Sequence, residues 1–177
     1  MKTFVSLILP TTVHRQLIAH LLPDGCDREQ AAFVFAGARK TMDGVNFHFA
    51  DRRMITEREF QVQYTDYLEL ADDTRAHIIK RAHDLQTSIV EFHSHPGPWP
   101  AKFSQADRKG LEDFVPHVWW RLKSRPYMAI VVAQSSFDGL VWLNDPIKPQ
   151  PIDSIIAGKH RLEPTRLTLS AWETLHA

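Results

Sequence analysis

The segment from Ser88 to Asp107, SIVEFHSHPGPWPAKFSQAD, constrains this chain more than any other. Ser88 to Phe92 is a short apolar run of β-strand character that leads directly into His93. Side chains at i and i+2 of an extended backbone point to the same side, so His93 and His95 can both face one ion. Pro96 and the Pro-rich Gly97 to Pro100 turn stop the strand. Ser104-x-x-Asp107 then reads as a variant capping box that starts a helix, and Asp107 offers an oxygen ligand from that helix. Two histidines, one carboxylate and an open fourth position for water describe a catalytic zinc site rather than a closed structural one.

The rest of the chain supplies a scaffold for such a site. Phe4 to Leu9 reads as a strand. Thr11 or Thr12 then caps a helix with the apolar stripe Leu17, Ile18, Leu21 and Leu22, ending at Pro23. Ala31 to Ala36 is small or apolar throughout, the pattern of a strand covered on both faces. Asp43-Gly44 suits a hairpin turn into a strand at Val45 to Phe49. Gln61 to Tyr67 is a further strand, and Asp72 or Asp73 opens a helix carrying Ile78, Ile79, Ala82 and Leu85 on one face. The helix after Ser104 is expected to reach about Phe114. Strands follow at Tyr127 to Ala133 and Leu140 to Leu143, with a turn at Ser135 to Gly139.

Helices and strands interleave, so the expected class is α/β, with helices on both sides of a mixed, mostly antiparallel sheet. Residues 1–144 form the expected core domain. Pro146, Pro149 and Pro151 punctuate residues 145–177, read as an extension packed on or wrapping it.

Composition narrows the function classes. The chain has 177 residues and a formal net charge of zero, which gives no electrostatic reason to bind nucleic acid or an anionic membrane. Cys26 is its one cysteine, so no intrachain disulfide forms, and its turn-like surroundings make it incidental rather than nucleophilic. The apolar run at Phe4 to Leu9 is too short for a secretion signal, and none spans a membrane. A cytoplasmic protein is expected. His77 and His83 read as surface residues, Phe103 as core, Trp99 as a rim aromatic or a packing residue, and Trp119-Trp120 as core plus a half-buried ring.

The run His93-Ser94-His95-Pro96, seven residues and then Ser104-x-x-Asp107 resembles the signature of JAB/MPN-domain metallopeptidases, also called JAMM proteases. That pattern also has a glutamate at the start of a buried strand, and Glu29-Gln30-Ala31-Ala32 precedes the strand through Ala36. Here alanine replaces the more usual glycine, and Gly37 sits one place late. The resemblance runs from about Thr11 to Leu143 and implies the family's α-β-α layered fold. It implies a zinc-activated water as nucleophile, Glu29 as general base then general acid, and Ser104 as hydrogen-bond donor to the oxyanion. Glu91, two residues before His93, competes with Glu29 for the role of base or orients a histidine. The compact form resembles bacterial members encoded beside ubiquitin-like activating and conjugating enzymes, some in phage-defence sets. The implied substrate is a ubiquitin-like protein or its conjugates. Alternatives are a sulfur-carrier-protein peptidase in cysteine or cofactor synthesis, and a metal-free scaffold.

Overall fold

The computed structural model describes residues 3–169. In chain order the elements are β1 (Phe4–Leu9), α1 (Thr11–Leu21), β2 (Ala31–Lys40), β3 (Gly44–Met54), β4 (Phe60–Gln63), β5 (Leu68–Leu70), α2 (Asp72–Leu85), β6 (Ser88–Ser94), α3 (Gln105–Arg121), β7 (Tyr127–Ala133), β8 (Ser136–Trp142), β9 (Gln150–Pro151), β10 (Ser154–Ala157) and β11 (His160–Leu162). Among the described residues, nine strands form one sheet in the order β11-β10-β1-β3-β2-β6-β7-β8-β9, and β4-β5 is a separate hairpin. The β1–β3, β1–β10 and β6–β7 pairs are parallel, and the other pairs in the large sheet are antiparallel.

The unbroken apolar runs of β2 and β7 follow from cover on both faces. Phe33, Phe35, Ile89, Ala129 and Val131 meet Ile78, Ile79 and Ala82 of α2 and Leu111, Val115 and Val118 of α3. On the opposite face Ala32, Val34, Val90, Ile130 and Val132 meet Val13, Leu17 and Leu21 of α1. Each of these strand residues therefore packs into a core that a helix closes. The result is the three-layer α/β arrangement expected from the sequence.

Local details depart from expectation where tertiary packing overrides turn chemistry. Neither Thr11 nor Thr12 caps α1; Pro10 holds that position without a side-chain bond. Asp72 and Asp73 lie inside the first turn of α2, after Ala71, where their charge complements the helix dipole. The segment read as one strand from Gln61 to Tyr67 is instead the end of β4 and a bend, with Tyr64 N–H donating to the Tyr67 carbonyl at 2.7 Å.

Helix α3 runs past Phe114 and through Pro116 to Arg121. An interior proline costs about 3 kcal/mol. Val115, Val118 and the following Leu122 are fully buried, and each such burial contributes roughly 1.5–3 kcal/mol, which outweighs that cost. Strand β8 begins at Ser136 rather than Leu140, because Ala133 pairs with Ser136 across a tight turn. Asp138 and Gly139 thus lie within a buried strand.

The described part of the expected 145–177 extension contributes strands at both ends of the sheet, and its residues 170–177 lie outside the described residues. Strand β9 pairs with β8, and β10 lies parallel to β1 with Ser6 opposite Ser154. Among the described residues no helix is long and apolar enough to cross a membrane.

Candidate metal centre

The carboxyl end of β6 delivers the histidines. His93 is its penultimate residue, opposite Ala31 of β2 and Val131 of β7, and His95 N–H donates to the Val132 carbonyl at 2.8 Å. Their ring centroids lie 5.1 Å apart. Asp107 comes from the first turn of α3, whose start is fixed by a reciprocal capping box. Ser104 Oγ accepts from Asp107 N–H at 3.1 Å, and Ser104 N–H donates to Asp107 Oδ2 at 2.6 Å. The same Oδ2 lies 3.2 Å from His95 Nε2 and 3.5 Å from His93 Nε2. One ligand atom from each of His93, His95 and Asp107 falls within 4.8 Å of the other two, so the three could hold one metal ion.

The donor set fits zinc. His93 Nε2 is buried and has no hydrogen-bond partner among the described residues, since Asp107 Oδ2 at 3.5 Å is beyond good geometry. An unsatisfied buried nitrogen costs about 1–3 kcal/mol, and a coordinated cation removes that cost. The surrounding charge is also anionic. Burial disfavours protonation of His93, yet Asp107, Glu91 and Glu29 outweigh it and push its pKa up to about 9 in the metal-free protein. Burial would raise Asp107, but His93 and His95 hold its carboxyl far below the usual carboxylate range. Two nitrogens and one oxygen suit a catalytic zinc site with a position left for substrate or water.

Glu29 is brought to this centre by strand register. Ala31 opposes His93 in the antiparallel β2–β6 pair, and continuing that register places Glu29 opposite His95. The residue is 3 % exposed, and its Oε1 lies 3.4 Å from His95 Nε2. Burial raises the Glu29 pKa; His93 opposes, Asp107 and Asp66 reinforce, and the value reaches about 7.

The backbone of Glu29 is fixed from both sides. Its N–H donates to the Tyr64 carbonyl at 2.9 Å, and its carbonyl accepts from Gln63 Nε2 at 2.8 Å. Next in the chain, Gln30 N–H donates to Ser94 Oγ, and Ser94 N–H to the Gln30 carbonyl. Ser94 and Gln63 were not singled out in the sequence. Ser94 carries a weak signal there, because strand alternation sends it to the face opposite His93. Gln63 carries none.

Glu91 occupies a different position. Its Oε1 lies 4.0 Å from His93 Nδ1, on the side of the ring away from Nε2, and Oε2 accepts a short hydrogen bond from Tyr127 Oη. Burial raises its pKa, against His93 and the Tyr127 hydroxyl. At 4.0 Å it makes no hydrogen bond to the ring, but it lies at the edge from which a carboxylate could orient His93.

Around the centre, Phe103 is core and packs its ring against His93 at 5.5 Å. Trp99 stands at the surface, 77 % exposed. Trp119 is partly buried, whereas Trp120 is 74 % exposed rather than half-buried, because α3 continues and turns it to solvent. His77 and His83 are exposed on α2. A cavity of about 400 Å³, lined by Glu91, His93 and Asp107 but by neither Glu29 nor His95, runs between Tyr67–Leu70 and Ala106, Lys109, Gly110 and Asp113.

The family of prokaryotic homologs of the JAB domain (Prok-JAB) matches residues 10–140. No curated protein matches the chain.

Proposed function

The chain belongs to the prokaryotic JAB-domain family, and from that premise we propose that it is a zinc-dependent peptidase or isopeptidase. Its proposed substrate is the bond that follows the C-terminal tail of a ubiquitin-like protein. The observation that carries this reading is the convergence of His93, His95 and Asp107 with the buried Glu29 carboxylate 3.4 Å from His95. A family resemblance alone would also accommodate a scaffold; a candidate ligand triad with a buried carboxylate beside it supports the catalytic reading over that one.

Bound zinc would supply Lewis-acid polarisation of the scissile carbonyl and a more acidic water. Glu29, whose buried carboxyl is raised by desolvation in the metal-free protein, accepts a proton from the attacking water as its oxygen bonds to the carbonyl carbon. It then returns that proton to the departing amine as the C–N bond breaks. The products are a carboxylate and an amine. Because Ser104 Oγ accepts from Asp107 N–H, its own hydrogen is available to donate to the carbonyl oxygen as charge develops there. Glu91 faces the opposite edge of His93, which favours Glu29 as the base.

The cavity between β5 and α3 reaches the centre at His93 and Asp107, from the side of Glu91 rather than of Glu29, and offers a bed for the chain that precedes the scissile bond. Strand β5 pairs on one side with β4, and an extended tail can add as a strand along its other side. Ala106 and Gly110 on the facing wall leave room for a backbone with small side chains, which suits a glycine-ended tail better than a bulky one.

The test is incubation with ubiquitin-like proteins, including any encoded beside this chain, each fused through its C-terminus to a reporter. Zinc-dependent cleavage at that junction supports the proposal. Cleavage only of a sulfur-carrier protein with an added amino acid moves the substrate to that class. Zinc-loaded protein that cuts none of them overturns the proposal.

A further inference from the structure

The loop between the ligand histidines and Asp107 is held by Ser136 of β8 and by a segment, 165–168, that lies beyond the family match. Ala101 N–H donates to Ser136 Oγ at 2.9 Å, and the Ala101 carbonyl accepts from Thr165 Oγ1 at 2.6 Å. Two residues on, Phe103 N–H donates to Thr168 Oγ1 at 3.0 Å. Phe103 is the residue whose ring packs on His93, and Ser104, which caps the helix bearing Asp107, follows it directly.

Thr165 and Thr168 are themselves anchored to β8. Thr165 N–H donates to the Phe137 carbonyl at 2.9 Å. Asp138, 1 % exposed, accepts from four donors: Gly139 N–H at 2.9 Å, Arg166 N–H at 3.1 Å, Thr168 N–H at 2.9 Å and Thr168 Oγ1 at 2.6 Å. Arg166 has φ of 61°, a left-handed conformation that a non-glycine residue adopts at a cost. Reception of the Arg166 and Thr168 amides by one buried carboxylate holds the backbone in that bend. A fully satisfied buried network of this kind is rigid; it reaches the loop through the Thr168 hydroxyl, beside the Ser136 and Thr165 hydroxyls at Ala101.

We propose that Asp138, Thr165 and Thr168 are positioning residues for the metal centre, setting the Ala101–Ser104 loop so that Phe103 backs His93 and Asp107 meets both histidines. The inference rests on the metal reading above. The segment at 165–168 would thereby make ligand geometry depend on chain outside the family's own span.

The experiment compares full-length wild type with Thr168→Val and Thr168→Ser. Valine preserves volume and removes the hydroxyl; serine keeps it. Zinc affinity is read by competition with a chelator, ligand geometry by the visible spectrum of the cobalt-substituted protein, and loop order by hydrogen exchange at the Phe103 amide in metal-free protein. Thr168→Val is expected to bind zinc about tenfold to a hundredfold more weakly, with an altered cobalt spectrum and a deprotected Phe103 amide. Thr168→Ser should restore all three.

Wild-type affinity and spectrum in a folded Thr168→Val protein overturn the proposal, even if overall stability drops. Should Thr168→Val fail to fold, Thr165→Val and Ser136→Ala loosen the same loop at Ala101 from less buried positions and are judged by the same readouts. If wild type takes up no zinc, the metal reading fails. The Phe103 amide then still decides the clamp: protection lost in valine and kept in serine upholds it, and unchanged protection overturns it.

Discussion

Oε1 of Glu29 lies 3.4 Å from Nε2 of His95, while the carboxylate of Glu91 faces Nδ1 of His93. Two glutamates thus flank the ligand pair from different sides, and they are expected to respond differently to the same substitution. Glu29→Gln should keep about one equivalent of zinc and lose about 10²- to 10⁴-fold in kcat. Glu91→Gln should keep much of its kcat and bind zinc about tenfold more weakly. Turnover measured beside zinc content separates them; a Glu29→Gln protein with near wild-type kcat would remove Glu29 from the role of base.

Zinc affinity should rise with pH. In the metal-free protein His93 titrates near 9, above its ordinary 6.5, so the folded state holds more protons than the unfolded state between those values. That contribution to stability is present below about pH 6.5 and lost as pH rises through about 9. Glu29, raised from 4.5 to about 7, has the same sign over a lower window. Coordination requires neutral His93, so affinity should increase by up to about tenfold per pH unit between about pH 7 and about pH 9. Thermal melts with zinc and with chelator should therefore diverge as pH rises, and a constant separation would count against His93 as a ligand.

The hairpin that carries Gln63 should affect turnover more than metal content. Gln63→Ala removes the bond to the Glu29 carbonyl and lets the carboxylate drift, and a displacement of about 1 Å can cost about 10²-fold in rate. Zinc stoichiometry should be unchanged. Equal kcat in the variant would show that Tyr64 and Ser94 suffice to hold Glu29.

Ser94→Ala is expected to lower stability as well. Ser94 is fully buried and its hydroxyl oxygen receives the Gln30 amide; leaving that amide unpaired costs about 1–3 kcal/mol. Denaturant unfolding measures this directly.

Pro116→Ala should stabilise the protein. It restores the N–H that α3 lacks at that position, with a net gain of about 1–2 kcal/mol after the added freedom of the unfolded chain. Zinc affinity should not change, because the substitution lies well down the helix from Asp107.

The features legible in the amino-acid order are local. Alternation along an extended strand puts His93 and His95 on one side, and a serine three residues before an aspartate starts a helix with its carboxylate in the first turn. Continuous apolar runs at β2 and β7 demanded helices on both faces. Each depends only on neighbours a few residues apart, where backbone geometry is fixed by chemistry. The position of Glu29 opposite His95 is instead a product of long-range strand pairing. That follows from Ala31 pairing with His93, and a one-residue slip would have sent Glu29 to the other face. Register is chosen by the packing of whole strands against α1, α2 and α3, as is the reach of Gln63 to Glu29 and of Thr168 to Phe103. Such contacts join residues whose separation in the chain carries no record of their adjacency.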